Sequence, residues 1–200
     1  MVTLLGCPGA DGSPSSASTG GTDSSGVGTD ETAADETAAL PPRTAATLVD
    51  HTMWTIVEAD DDPLAEHRPV DVDCGVTGAY VEGLGLEIDT GACNYLSRQQ
   101  PTLADIRAGD MIEVSAFHET LASIEPGQAH WAITLGSSVL WQKFIVIPAS
   151  PGVVDATPFD DAIAIDVDIP AGTPIGLHLH NHGYNTWTLL HVDVVPPEAQ

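Results

Sequence analysis

The stretch of sequence that most restricts the fold is residues 172–187, which read GTPIGLHLHNHGYNTW. Apolar and imidazole side chains alternate along it, and in an extended chain successive side chains point to opposite faces. We therefore predict a strand with one aliphatic face and one histidine-rich face, followed by a turn. The aliphatic face carries Ile175, Leu177 and Leu179, and the opposite face carries His178, His180 and His182.

Short strands separated by turn residues are predicted along the whole chain after residue 46. We place them within 46–59, 70–93, 111–119, 129–149, 160–172 and 186–195, with a single helical turn at 100–106. Eight or more short strands at roughly ten-residue spacing, without a convincing amphipathic helix, are typical of a β-sandwich. The predicted fold is an all-β, antiparallel β-sandwich domain that spans residues 47–197.

Two phrases place an Ala-Gly turn directly before a strand: RAGDMIEV at 107–114 and PAGTPIGLHLHN at 170–181. This arrangement resembles that of jelly-roll and galactose-binding-like β-sandwich domains. The resemblance implies a jelly-roll-like sandwich, and it carries no catalytic motif. The sequence also lacks a G-x-S-x-G elbow, H-E-x-x-H, a glycine-rich phosphate loop and a C-x-x-C pair, so an enzyme is the less favoured interpretation.

Leu4-Leu5-Gly6-Cys7 resembles a bacterial lipobox, the tetrapeptide whose cysteine becomes lipidated in lipoproteins. The resemblance implies that Cys7 is diacylated and that the protein is anchored by lipid to a bacterial membrane at the cell envelope, on the periplasmic or cell-surface side. Only six residues precede Cys7, without the charged and apolar regions of a signal peptide, so we expect the true start to lie upstream. Residues 1–7 are accordingly interpreted as the remnant of a lipoprotein signal.

Residues 8–46 are rich in Gly, Ser, Thr, Asp and Ala, and they hold almost no large apolar side chains. Ordering them would cost backbone entropy with no burial to offset it, so we predict a disordered acidic linker between the anchor and the domain. The whole chain carries 29 Asp and Glu against 5 Lys and Arg, for a net charge of −24. Such a charge repels polyanions, so nucleic acid is not an expected partner.

Two of the three cysteines, Cys74 and Cys93, lie 19 residues apart within the predicted domain. Two cysteines within the domain of a chain that begins with a lipobox-like motif typically form a disulfide in an oxidising compartment. We therefore predict a Cys74–Cys93 disulfide, and the alternative is two unpaired buried thiols.

The histidine-rich face of the 172–187 strand is the sharpest candidate for a site. Imidazoles two residues apart on a strand can ligate one transition-metal ion such as Zn, Cu, Fe or Mn. The tentative ligand set is His178, His180, His182, His118 and His130. Cupin metal sites are loosely similar, but where they place a glutamate after the second histidine this chain has Tyr184 and Asn185.

The alternative is that these histidines only fix the geometry between strand and turn. Asn181 and Asn185 would then serve the turn, and Gly183 would supply a positive φ. The alternation of side chains along the strands also places the tentative ligands on different faces. His130 is expected to point outward, whereas His118 is expected to face the core unless a bulge intervenes.

Aromatic residues near the same strands suggest a binding site for carbohydrate or another cell-surface ligand. Exposed aromatic rings beside amide groups are a way in which sandwich domains bind sugars, and the tentative set is Trp187, Tyr184, Asn181 and Asn185. Trp187 is predicted to be exposed because Thr188, Leu190 and Val192 form the more apolar parity of their strand. The alternative is that the tryptophans belong to the core.

Acidic loops offer a third possibility, a structural calcium ion. Asp60–Asp62 and Asp160–Asp161 carry the hard oxygen ligands that calcium prefers, although neither segment matches a known calcium loop. Taken together, the sequence favours a cell-envelope lipoprotein with a β-sandwich binding or structural module. The alternative function is a histidine-ligated metal-binding protein or metalloenzyme.

Overall fold

The structure is a computed structural model that describes residues 43–197. Within that range the strands are β1 (Ala46–Thr47), β2 (Thr55–Ile56), β3 (Ala79–Glu82), β4 (Gly85–Asp89), β5 (Tyr95–Pro101), β6 (Met111–His118), β7 (Gly127–Leu135), β8 (Ser138–Ile147), β9 (Thr157–Ala164), β10 (Pro174–His180) and β11 (Thr186–Val195). Two short 3₁₀ turns, Ala59–Asp61 and Ala65–His67, lie between β2 and β3. No helix in the described range is long and apolar enough to cross a membrane.

The strands form two sheets, which we call sheet A and sheet B. Sheet A has the order β3-β4-β11-β6-β9, with β1 also paired to β11, and sheet B has the order β2-β5-β10-β7-β8. Every pairing between these strands is antiparallel. The last eight strands therefore divide into β4-β11-β6-β9 and β5-β10-β7-β8, which is the strand order of a jelly roll. The prediction of an antiparallel, jelly-roll-like β-sandwich is confirmed.

The core lies between the two sheets and is built by alternation along each strand. On β10, Ile175, Leu177 and Leu179 are at most 2% exposed, so the aliphatic face predicted for this strand is confirmed. Trp131 from sheet B meets Trp187 from sheet A edge to face, with ring centroids 5.3 Å apart. Aromatic pairs in this geometry join the two layers at the centre of the core.

A bulge in β11 explains one wrong prediction. The pairing of β11 with β6 shifts between Leu189 and His191, and this shift moves the inward parity of β11 by one residue. Trp187 and Leu189 before the bulge and Val192 after it are all fully buried. The prediction that Trp187 is exposed is wrong, because it assumed uninterrupted alternation through Leu190.

The predicted Cys74–Cys93 disulfide is confirmed, with the two Cα atoms 3.8 Å apart. The strand predicted before Cys74 is not formed, and Val70 is fully exposed. The hairpin in this region instead joins β3 to β4 through Gly83, whose φ of 58° suits glycine. The helical turn predicted at 100–106 is also wrong, because Tyr95–Pro101 forms β5 and pairs with β10.

Contacts of the sandwich extend slightly before the predicted domain start at residue 47. Arg43 forms an ion pair with Asp110 at 2.9 Å, and β1 begins at Ala46. Cys7 and residues 8–42 of the predicted linker lie outside the described residues, so the predictions made for them stay predictions.

Candidate functional site

The outer face of sheet B is partly covered by residues 57–68, which we call the covering segment. It is held through Asp62, whose Oδ2 accepts hydrogen bonds from the Tyr95 hydroxyl at 2.6 Å and from Nη1 of Arg68 at 3.0 Å. The Tyr95 hydroxyl also lies 3.2 Å from the carbonyl oxygen of Leu64. Asp62, Leu64 and Tyr95 are all buried, so these contacts fasten the segment to β5 out of water.

The charge on Asp62 is compensated within this network. Burial alone would raise the pKa of Asp62, but hydrogen bonds from Tyr95, the backbone N–H of Leu64, Arg68 and Ser97 together lower it below its ordinary value. Burial and the neighbouring Asp62 carboxylate raise the pKa of Tyr95. At neutral pH the pair is therefore an ionised carboxylate that accepts from a neutral phenol.

The covering segment brings a fourth imidazole to three that sheet B already presents. We call His67, His130, His178 and His180 the histidine cluster. Ring centroids are 4.7 Å apart for His67 and His130, 5.0 Å for His130 and His178, and 5.8 Å for His67 and His178. His180 pairs with His130 across the strands, and its ring lies 6.4 Å from that of His67.

Burial disfavours the protonated form of three imidazoles in the cluster, those of His130, His178 and His180. Burial, with a smaller contribution from His130, lowers the pKa of His178 to about 3. Burial likewise lowers the pKa values of His130 and His180. Neither ring nitrogen of His178 has a hydrogen-bond partner among residues 43–197, although the side chain is only 2% exposed. Such a group normally finds a partner, so His178 stands out in the site.

His130 has one ring nitrogen engaged and one free. Its Nε2 lies 3.1 Å from Oε1 of Gln142, and an amide oxygen can only accept, so Nε2 carries the proton. Nδ1 then holds a lone pair and has no partner within the described part of the chain. The exposed ring of Phe144 stacks on His130 at 4.2 Å with an interplanar angle of 6°, which covers one face of the imidazole.

Two tentative metal ligands do not join the cluster. His118 lies between the sheets, with its ring 5.1 Å from that of Trp187 and 5.7 Å from that of Phe159. The prediction that it faces the core is confirmed, and its inclusion in a metal set on the outer face is wrong for that reason. His182 follows the end of β10, is exposed, and contacts only the edge of the cluster through His180.

An open cleft of about 450 Å³, which we call the outer cleft, adjoins the histidine cluster on the same face of sheet B. One wall is the covering segment with Asp60 and Asp61. The floor is formed by β5, β10 and β7, with Ser97, Gln99 and His178 among its lining residues.

Gly176 keeps the floor of the outer cleft open. A Cβ atom at that position would collide with Oγ1 of Thr134 on the neighbouring strand. Arg98 borders the cleft through its backbone, because it pairs with the core residue Leu177 and its side chain therefore points to the inner face of sheet B. The cleft therefore combines carboxylate, amide and hydroxyl groups at one surface.

The residues of the predicted ligand-binding set behave differently from one another. Asn185 receives a hydrogen bond from the Ala122 backbone N–H at 2.8 Å and donates to the carbonyl of His182 at 3.1 Å. Asn181 donates to Oγ1 of Thr90 at 2.8 Å, and Gly183 has a φ of 101°. Residues that shape a turn are expected to make such contacts. Of the two aromatic residues in this set, Trp187 is buried in the core and Tyr184 is 80% exposed.

The second acidic segment named for calcium is a strand rather than a loop. Asp160 and Asp161 lie on β9, where Asp160 accepts a hydrogen bond from Ser115 at 2.7 Å. Asp161 accepts from Nε1 of Trp141 at 2.7 Å and pairs with Lys143 at 2.9 Å. Both carboxylates are thus engaged by protein groups, and their prediction as loop ligands is wrong.

No group of three or more His, Cys, Asp or Glu side chains in the described range already stands in an arrangement that could hold a metal ion. Sequence reasoning found His130, His178 and His180 through strand alternation, but it missed His67. That residue is distant in sequence and reaches the sheet only because the covering segment folds over it. A His in a polar, irregular stretch gives no signal of such a contact.

Comparisons with known proteins are consistent with the scarcity of sequence motifs. No protein-family model matches the chain, and no curated protein matches it. One similar solved structure is a carbohydrate-binding module described as "CBM4 structure and function", at 15% identity and a TM-score of 0.40, covering 72% of this chain and 86% of that chain. Another is a cleaved adhesin domain of Lys-gingipain from Porphyromonas gingivalis, at 10% identity and a TM-score of 0.42, covering 76% and 99%.

A third similar structure is the C-terminal CBM6 of LamC, a marine laminarinase from Zobellia galactanivorans. It is 15% identical with a TM-score of 0.35, and the alignment covers 71% of this chain and 98% of that one. At these values the comparisons establish no family for the chain.

Proposed function

We propose that this protein is a cell-envelope lipoprotein, anchored through Cys7, whose β-sandwich is a binding module for carbohydrate. The outer cleft is the binding site in this proposal. An acidic linker over residues 8–42 would hold the module away from the membrane.

The observation that carries the proposal is the composition of the outer cleft. Sugar hydroxyls both donate and accept hydrogen bonds, so a site for them needs both kinds of group within one pocket. Asp60 and Asp61 offer acceptors, and the side chains of Ser97 and Gln99 offer both donors and acceptors. Its volume of about 450 Å³ falls in the range of small-molecule sites.

The electrostatic character of the molecule supports an uncharged ligand. With a net charge of −24, the chain repels anions in general. Asp60 and Asp61 strengthen that repulsion at the cleft itself, whereas a neutral glycan escapes it. An aromatic ring is also available on the same outer face of sheet B, where Phe144 stacks on His130 and is 52% exposed.

The test is a screen of the full chain against an array of neutral glycans, followed by titration calorimetry with each hit. Gln99→Ala removes one amide from the cleft, and Gln128→Ala is the matched control, because Gln128 is an exposed glutamine on β7, outside the lining of the cleft. We expect Gln99→Ala to weaken binding about tenfold, which corresponds to the loss of one hydrogen bond of about 1.4 kcal/mol. Binding that both variants retain equally, or no bound glycan at all, would contradict the proposal.

The anchor is tested separately by phase partition of the protein from its native cells in a cloud-point detergent. We expect wild-type protein in the detergent phase and Cys7→Ala in the aqueous phase. Recovery of both proteins from the aqueous phase would remove the lipid from the proposal and leave the binding module untouched.

A further inference from the structure

We propose that His67, His130 and His178 form a binding site for one divalent transition-metal ion of the zinc class on the outer face of sheet B. This site is distinct from the histidine set predicted from the sequence, because it includes His67 and excludes His118 and His182. It does not depend on the carbohydrate proposal.

The spacing of the three rings fits a shared ion. A histidine nitrogen binds zinc at about 2.0–2.1 Å, which places the centre of the ring roughly 3.1 Å from the ion. Three imidazoles arranged tetrahedrally around one ion then have centroids about 5 Å apart. The observed separations are 4.7, 5.0 and 5.8 Å.

Two of the three rings carry buried nitrogens without hydrogen-bond partners. His178 is 2% exposed, and neither of its ring nitrogens is paired with any residue in 43–197. His130 is 4% exposed, with Nδ1 unpaired among the same residues. Leaving a buried nitrogen without a partner destabilises the fold, and a bound ion would satisfy one such nitrogen on each of these rings.

The second ring nitrogen of His130 already has a partner of the kind that surrounds metal sites, and that of His67 lies near one. Metal-bound histidines usually pass their other N–H to a carboxylate or carbonyl oxygen, which fixes the ring and its tautomer. Oε1 of Gln142 lies 3.1 Å from Nε2 of His130, and Oε1 of Glu66 lies 3.5 Å from Nε2 of His67. Both arrangements leave Nδ1 for the ion.

The rings must turn before their nitrogens can share one ion. With the side chains as they stand, no three candidate ligands in the described range converge on one point. The χ2 angle of histidine is soft, so the rings can turn on a backbone that stays in place. An all-imidazole set selects zinc, copper or nickel over calcium and magnesium, which prefer oxygen. His180 or water would complete the coordination.

The experiment measures zinc binding to the chelator-stripped full chain by titration calorimetry, in the presence of excess calcium to occupy the acidic surface. We expect one zinc ion per chain at micromolar affinity or tighter and a higher melting temperature with zinc. His67→Ala and His178→Ala should abolish both effects. His191→Ala, an exposed histidine on sheet A, and His182→Ala should leave them unchanged.

Gln142→Ala tests the positioning role of the amide. Because Gln142 is exposed, the variant should fold normally, and we expect its zinc affinity to fall about 10–100-fold. His67 is only half-buried on the covering segment, so His67→Ala keeps the test decisive if His178→Ala fails to fold. Wild-type protein that binds no zinc, or zinc binding that survives His67→Ala unchanged, would overturn the proposal.

Discussion

The hydroxyl of Tyr95 donates a hydrogen bond to Oδ2 of Asp62 across 2.6 Å, and both groups are buried. This contact fastens the covering segment to β5 and so determines the shape of the whole outer face of sheet B. The histidine cluster and one wall of the outer cleft both depend on the position of that segment.

Tyr95→Phe should loosen the covering segment. The variant removes a hydrogen bond to a buried charge, and such bonds contribute about 1.5–3 kcal/mol to the free energy of unfolding. Urea denaturation measures the total loss, and hydrogen exchange should show faster exchange within residues 57–68. Tyr80→Phe is the matched control, since the Tyr80 hydroxyl also bonds a carboxylate, that of Glu87, but at an exposed site. A loss as large in Tyr80→Phe would contradict this account.

Acid should destabilise the protein partly through Asp62. Its pKa in the folded state lies below the ordinary value of 3.8, so its ionised form contributes stability above pH 3.8 that is lost as the pH falls through the lower folded value. We therefore expect the difference in unfolding free energy between wild type and Asp62→Asn, measured by urea denaturation at several pH values, to be largest at neutral pH and to shrink below pH 3.8. Asp61→Asn, with the same change at an exposed position, is the control. A gap that stays constant in acid would rule out this role.

Substitutions of Trp187 should behave as changes in a core residue. Trp187→Ala is expected to lower the free energy of unfolding by about 3–5 kcal/mol through the cavity it leaves. Trp187→Phe should cost less, because the buried indole N–H has no partner among the described residues and its removal relieves that penalty. Tyr184→Ala, at a residue 80% exposed, serves as control and should change stability by less than about 0.5 kcal/mol. Near-equal unfolding free energies for Trp187→Ala and Tyr184→Ala would contradict the burial of Trp187.

Gly176→Ala should damage the outer cleft. The added methyl group collides with Oγ1 of Thr134, and overpacking of this kind costs about 1–3 kcal/mol. The double variant Gly176→Ala with Thr134→Ala removes the colliding oxygen and should recover most of the lost stability, measured by thermal unfolding. Losses that simply add in the double variant would show that the two side chains do not compete for the same space.

Local alternation allowed much of the sandwich to be predicted. The strand over 111–119, the hairpin within 129–149 and the two faces of β10 all follow from period-two patterns that the structure preserves. The disulfide followed from the spacing of Cys74 and Cys93 within the domain. These features need only short-range information, since burial on one face determines the register of a strand.

The errors arise where the backbone departs from alternation or where distant segments meet. The bulge after Leu189 reversed the expected parity of Trp187, and no residue in that stretch signals a bulge. The covering segment has no regular pattern, so nothing in the sequence connects His67 with the strands that carry His130 and His178. The sequence therefore predicted the site residues that lie on strands, His130 and His178, but not His67.

The proposed binding surface is the outer face of sheet B. Its most direct test is a titration of the ¹⁵N-labelled full chain with neutral methyl glycosides, in which NMR amide chemical shifts are measured at each step. We predict progressive shifts at Ser97, Gln99 and Gly176 in the outer cleft. Shifts confined to the outer face of sheet A, around Ser115 and His191, or spectra that do not change with any glycoside, would contradict the claim.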